Sequence, residues 1–354
     1  MTDILPFLKS LISVSGVSGF ETPVARIIEE KWRPLVDEVS VSRVGSLHGL
    51  KKGSGASPRP SIMIAAHMDA IGMRVSKIAD GFLHITNIGG IDVRVLPGAE
   101  VTVHATGSGE ALSGVIAMPP ANLLPESVSN GVIGINYLLV DTGLTPREVE
   151  RKVRVGDTVS FANEPMLLVG DFISGHSLDN RASIAASTVC LEELQSKTHL
   201  WDVWVAATVQ EETSYLGAYS SAFELRPQIA IAVDGTFAKG PGANGWQTFQ
   251  MGKGVGLCLG PNIHPFLHKK LKELAEKLEI AWFLDVTPVQ SGTDAFPMQT
   301  TAEGIPTALV EFPFRYMHTP VEMVSVKDVY RAGRLLAEFV ASLDMDFMDT
   351  ITWD

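Results

Sequence analysis

The chain has 354 residues, of which 45% are hydrophobic and 19% charged. That length favours about two domains, and the composition favours a large buried core, which excludes a disordered chain. A net charge of −12 argues against nucleic acid as a partner, since phosphate binding needs a basic surface.

From the N-terminus, Ile4, Phe7, Leu8, Leu11 and Ile12 repeat at helical spacing and predict an amphipathic helix. The same stretch lacks a signal peptide's basic start: Asp3 precedes its apolar residues and Lys9 interrupts them. No apolar run approaches the ~20 residues of a membrane span, so a soluble cytoplasmic protein with no membrane partner is expected. Residues 1 to about 70 read helix, helix, strand. The Gly/Ser/Pro loop "KKGSGASPRP" leads into the strand "SIMIAAHMDA".

Residues 71–163 then change texture. The short runs "GMRVSKI", "FLHITNI", "AEVTVHA", "GVIGINYLLV" and "DTVSFA" are separated by Gly, Asn and Pro, and "TPREVERKV" alone is helical. This predicts a small β-barrel or sandwich. Beyond residue 164, strands and helices alternate. The helices are "NRASIAASTVCLEELQSK", "HPFLHKKLKELAEKLEI" and "VKDVYRAGRLLAEFVASL", and the strands are "WDVWVAATV", "PQIAIAVD" and "TALVEF". The expected fold is α/β. An α/β/α sandwich with a mixed, largely parallel sheet is built from residues 1–70 and 164–354, with 71–163 inserted as a barrel-like domain. Cys190 and Cys258 sit in apolar contexts and read as buried thiols. With no CxxC, a metal site must use His, Asp and Glu.

The predicted α/β strands end in unusual company. One closes on His67 and Asp69, another on Glu211 and Glu212, and a third on Asp234. His318 follows a fourth strand, and Asp179 precedes the helix "NRAS…". Each alone is an ordinary turn, cap or loop residue. Together they gather at the carboxyl edge of one sheet, where parallel α/β sheets bind ligands. Converging carboxylates repel one another unless a cation neutralises them. Two imidazoles among them suit a pair of zinc-like ions better than Ca²⁺ or Mg²⁺. Asp69, two residues past His67, shares its side of an extended chain and can hold the other imidazole nitrogen.

At these residues the sequence resembles the dinuclear metallo-aminopeptidases that include glutamyl aminopeptidase and the tetrahedral (TET) aminopeptidases, some of which carry an endoglucanase label. The resemblance runs through "AAHMDAIGMRV", "NIGGIDVRVLPGAEVTV", "VDTGLTPREVE", "VRVGDTVSF", "SLDNRAS", "QEE", "SGTDAFPM", "GIPTALVEFPFRYMHTPVE" and "VKDV". It implies two divalent metal ions, zinc or cobalt. His67 and Asp234 would hold one, Glu212 and His318 the other, and Asp179 would bridge them. Glu211 would be the general base acting on a water shared by the metals, and Asp69 would orient His67. Ser291, Thr293, Asp294, Arg315 and Tyr316 are candidates for the substrate pocket, and His264 for its wall. The implied reaction is release of the N-terminal residue from peptides. The inserted region would serve dimerisation, supporting a homo-oligomer from dimer to dodecamer.

A dinuclear deacylase of N-acyl amino acids would use the same metals, and a catalytically altered relative is the other alternative. A glycosidase needs two carboxylates and no histidine ligands. The chain departs from the family's usual wording at Ala70, at "TSYL" after the paired acids, at Ser291 and at Phe296-Pro297. No ligand position is lost.

Overall fold

The computed structural model of the protein describes residues 3–124 and 131–353. Helix α1 (Leu5–Ile12) starts with a Pro in its first turn and buries Phe7, Leu8, Leu11 and Ile12, the face its spacing predicts. Helix α2 (Thr22–Trp32) buries Val24, Ile28 and Trp32. A hairpin of β1 (Glu38–Val41) and β2 (Leu47–Lys51) follows, then β3 (Ser61–His67). The hairpin lies where no strand was expected. Gly45 turns it with φ +105°, and β1 is mostly exposed, so it shows no hydrophobic alternation.

The barrel comprises β4 (Gly72–Ala79), β5 (Phe82–Ile88), β6 (Glu100–Ala105), β7 (Glu110–Ala117), β8 (Leu139–Asp141) and β9 (Thr158–Phe161). It closes in the order β4-β5-β8-β7-β6-β9. Inward residues such as Met73, Val75, Leu83, Ile85, Val101, Val103, Val140 and Val159 form its core. Of the expected strand "GVIGINYLLV", only the end is extended: a 3₁₀ turn over Ile135–Tyr137 interrupts it after Gly134. Helix α3 (Pro146–Lys152) is set by a capping box between Thr145 and Glu148.

The chain returns through β10 (Met166–Leu168) and β11 (Phe172–Gly175) to α4 (Leu178–Leu194), strand β12 (Asp202–Thr208), the single turn α5 (Glu211–Ser214) and α6 (Leu216–Leu225). Then come β13 (Ile229–Phe237), β14 (Val255–Leu259), α7 (Pro265–Lys277), β15 (Trp282–Val286), α8 (Ala295–Gln299), β16 (Thr307–Phe314), β17 (Glu322–Ser325), α9 (Val326–Ala341) and α10 (Phe347–Thr350). The main sheet has eight strands in the order β1-β2-β12-β3-β13-β16-β14-β15. Its four central strands, β12, β3, β13 and β16, are mutually parallel, so their carboxyl ends share one edge. Strands β10, β11 and β17 form a separate antiparallel sheet. The sequence pattern missed β14, which is flanked by Gly252, Gly254 and Gly260, and β15, which is only partly buried.

Helices α1, α2, α4, α7 and α9 bury one face of the main sheet in the largest core. A second core of small residues, including Ala218, Ala222, Ala230, Ala232 and Ala295, seats α6 and α8 on the other face. Helix α4 is buried on nearly every side, so it carries no amphipathic stripe. Both cysteines are free and buried. Among the described residues, no helix is long and apolar enough to cross a membrane.

Candidate active site

After Ser61, strand β3 is apolar and buried until it ends on His67. The ring is held at Nδ1, 3.2 Å from the carbonyl oxygen of Asp69 and 3.4 Å from its Oδ1. That contact turns Nε2 outward, 3.4 Å from Asp179 Oδ1, 3.7 Å from Glu211 Oε2 and 4.0 Å from Asp234 Oδ1. Asp69 has a second task. Its two oxygens accept the backbone N–H groups of Glu211 (3.0 Å) and Glu212 (3.2 Å), fixing the start of the turn that carries both acids. Sequence spacing placed the paired acids at the end of β12. The strand stops at Thr208, and Gln210 then enters the left-handed region (φ 56°), so the acids lie on α5 instead.

His318 follows β16 and is itself left-handed, with φ 62°. Its Nδ1 is 3.0 Å from the Gly90 carbonyl oxygen, which leaves Nε2 facing Glu212 Oε2 at 3.3 Å and Asp179 Oδ2 at 3.6 Å. Asp179 therefore offers one oxygen to each histidine. It enters α4 after left-handed Ser177 and departs from helical angles. Three site-bearing segments thus hold non-glycine residues in left-handed backbone, the kind of strain that clusters at functional sites.

Sequence reasoning missed three supports. Glu322, on β17, is buried and accepts N–H bonds from Asp179 and His318, both at 3.0 Å. Arg181, fully buried, donates to the carbonyl oxygens of Leu11, Val14 and Met68 and sits among the charges of Asp69, Glu322 and Glu21. Burial lowers its pKa to about 10, so it stays charged. Glu21 accepts the backbone N–H of Gln210 (3.2 Å) and of Gly19 (2.6 Å). All three come from elements distant in sequence, and only the "TPVE" and "DNR" wording hinted at two of them.

The electrostatics follow from crowding. Burial raises Glu211, Glu212 and Asp234 well above the usual carboxylate range, and neighbouring carboxylates add to it. Burial alone would lower His67, but Glu211, Asp179 and Asp69 outweigh it and hold the ring well above its ordinary value. Among the described residues, no Lys or Arg lines the cavity around them. His67, Glu211 and Asp234 form one group with ligand atoms within 4.8 Å, and His67, Asp179 and Glu212 form another. Imidazole nitrogens among uncompensated buried carboxylates fit divalent cations of the zinc type.

The cavity measures about 470 Å³. Ser291 and Thr293 line it, braced by Asn262, whose side chain bonds both the amide and the hydroxyl of Ser291. Asp294 lies behind the wall, fully buried against the Thr208 hydroxyl. Neither Arg315 nor Tyr316 lines the cavity: Arg315 Nε donates to the Lys239 carbonyl, and Tyr316 is 48% exposed. His264 is buried against the Trp353 ring, away from the wall. Tyr215, from the departing "TSYL" segment, does line the cavity, whereas Ala70 is buried with its backbone paired to Gly16 and Ser18.

Comparison with known proteins agrees with this geometry. The family model for the M42 glutamyl aminopeptidases matches residues 45–335. Lysyl aminopeptidase of Pyrococcus furiosus is 33% identical, covering 96% of this chain and 98% of its own. The TET aminopeptidase structure from a marine sediment Thaumarchaeota archaeon superposes with a TM-score of 0.91 at 29% identity, covering 99% of each chain. Pyrococcus horikoshii TET1 peptidase, described as assembling into a tetrahedron or a large octahedral shell, gives 0.82 at 27% identity, covering 96% of this chain and 100% of its own. A match that takes in every strand end and loop bearing the acidic cluster makes this chain a member of the M42 glutamyl aminopeptidase family and a peptide hydrolase.

Proposed function

We propose that the protein is a metal-dependent aminopeptidase that releases the N-terminal residue of peptides. The observation that carries the reading is the division of Asp179 between the two histidines. One oxygen faces His67 and the other faces His318, and each histidine has further carboxylates beside it. Such a layout suits two divalent ions with Asp179 between them. His67 and Asp234 would hold one, and Glu212 and His318 the other. Mixed imidazole and carboxylate donors favour zinc or cobalt. When bound, the ions supply Lewis acidity, polarising a carbonyl and acidifying water.

The chain's own residues do the rest. Glu212 Oε2 lies 3.3 Å from His318 Nε2 and groups with Asp179, so it would serve as a ligand. Glu211 faces His67 alone of the two rings, which leaves a carboxylate oxygen to take the proton of the attacking water. That proton then passes to the departing amine nitrogen. Asp69 keeps His67 turned and both acids in place through its two backbone hydrogen bonds. Glu322 does the same for Asp179 and His318.

The barrel, as an inserted unit spanning 71–163, is proposed to mediate dimerisation and larger assembly. Exposed apolar residues Val115, Met118, Leu123 and Val132 on that unit support this, as do the relatives that assemble into shells. Light scattering of the purified protein tests it, and a monomer at micromolar concentration would end it. A cytoplasmic location is in keeping with two unpaired, buried thiols.

The deciding experiment is Glu211→Gln. Metal content should match the parent, while turnover of aminoacyl-p-nitroanilides falls by about 10²–10⁴-fold, the usual share of a general base. A variant that loses metal instead would make Glu211 a ligand and reverse the assignment. Turnover of N-acyl amino acids by the parent, without turnover of free-amine substrates, would replace the aminopeptidase reading.

A further inference from the structure

Two acids in the cavity wall have no part in the chemistry above. Glu311 on β16 and Asp285 on β15 line the same cavity as the histidine–carboxylate cluster. The strand registers explain how they come to face it. Asp234 pairs with Glu311, Glu311 with Gly256, and Cys258 with Asp285. Paired residues on neighbouring strands share a face, as do residues two apart on one strand. Asp234, Glu311, Cys258 and Asp285 therefore project from one face of the sheet.

Glu311 is only 6% exposed, and its buried Oε2 has no hydrogen-bond partner among the described residues. Asp285 Oδ2 accepts one hydrogen bond, from the Thr236 hydroxyl at 2.6 Å. The wall around them is otherwise small or neutral, with Cys258, Thr287, Ser291 and Thr293. Among the described residues, no Lys or Arg lines the cavity to neutralise either acid. Burial raises the Glu311 carboxyl well above its usual range, and the charges of Asp285 and Asp234 add to it.

A buried carboxyl in a cavity wall with one oxygen unpaired is costly unless the occupant brings a donor and a positive charge. With the peptide's N-terminal amide at the metal cluster, the first residue's side chain is the part free to enter the wall beyond. We propose that Glu311 and Asp285 receive a basic side chain, so that the enzyme prefers peptides beginning with Lys or Arg. The proposal rests on the aminopeptidase reading and deepens it. An apolar side chain would leave both acids unpaired, which sites built for polar partners reject strongly. An acidic side chain would meet two charges of its own sign.

The test compares kcat/KM for the p-nitroanilides of Lys, Arg, Leu and Glu in the parent, Glu311→Gln and Asp285→Asn enzymes. Lys and Arg should exceed Leu by at least about tenfold in the parent, as expected for hydrogen bonds to charged groups. Each variant should lower the Lys-to-Leu ratio by at least about tenfold, chiefly through KM. A parent that prefers Leu or Glu overturns the proposal. So does a Glu311→Gln variant that lowers all four substrates alike, because Glu311 would then be receiving the α-amino group common to them all. If none of the four is hydrolysed, the aminopeptidase reading fails separately. Calorimetry with lysine amide and norleucine amide then decides the pocket: lysine amide should bind the parent at least about tenfold more tightly, and equal binding, or no weakening in Glu311→Gln, overturns it.

Discussion

The barrel and the carboxyl edge of the main sheet treat their buried acids differently. In the barrel, Asp157 is buried, and its carboxylate receives the N–H groups of Thr106 and Arg154 together with the Thr106 hydroxyl. His104, beside it, bonds the Ser160 hydroxyl. At the sheet edge, buried acids crowd one another, Asp294 Oδ1 and Glu311 Oε2 lack partners, and Ser177, Gln210 and His318 hold left-handed backbone. Satisfied polar groups stabilise a local fold, whereas unsatisfied ones are destabilising until something binds. The contrast separates a carboxylate that serves its own local fold from carboxylates gathered around a cavity.

The sharpest way to break that contrast is to remove the residue shared by both histidines. Asp179→Ala should abolish metal retention through gel filtration and, with it, peptide hydrolysis, leaving less than about one part in 10³ of turnover. Metal analysis of the purified variant checks this directly. Full occupancy would show that Asp179 is not needed to hold the ions.

The same contrast explains what the amino-acid pattern could reveal. Amphipathic α1 and α9, the alternating barrel strands and the apolar central strands carry their periodicity in consecutive residues. The gathering of imidazole and carboxylate types at one sheet edge was readable for the same reason, since each lies at or within a few residues of the end of an apolar strand. Glu322, Arg181 and Glu21 were not readable, because each acts through a backbone group brought close by tertiary folding. Arg315 and Tyr316 entered the expected pocket through nearness in sequence to His318, which is not nearness in space. Left-handed Tyr316 and His318 turn the chain there, and the Arg315 guanidinium leaves toward Lys239.

A large-to-small change in the barrel should have the opposite signature to Asp179→Ala. Leu83 is fully buried in the barrel core, so Leu83→Ala should cost about 2–5 kcal/mol of unfolding free energy through lost burial and a cavity. Metal content and kcat should stay near the parent values at temperatures where the variant is folded. Denaturant unfolding beside metal analysis measures both. Loss of metal at full folding would mean that barrel packing and the site are coupled, and the contrast would weaken.

Glu21 stands between the two behaviours and gives the smallest effect. It is partnered, yet burial and the Asp69 charge raise its pKa from 4.5 to about 7, although its backbone hydrogen bonds from Gly19 and Gln210 pull the other way. Below pH 4.5 the carboxyl is protonated in both the folded and the unfolded chain. As pH rises from there to about 7, the unfolded chain loses the proton first and the folded chain keeps it, so stability falls across that window and levels off above it. The full loss is at most about 3 kcal/mol. Glu21→Gln keeps an acceptor oxygen for the Gly19 and Gln210 amides but cannot ionise. The variant should therefore gain on the parent in urea unfolding between pH 5 and pH 7.5, at identical metal loading. Parallel pH profiles for the two proteins would mean that the Glu21 carboxyl ionises in the folded chain as freely as in the unfolded one, and that this end of the site is wetter than its burial indicates.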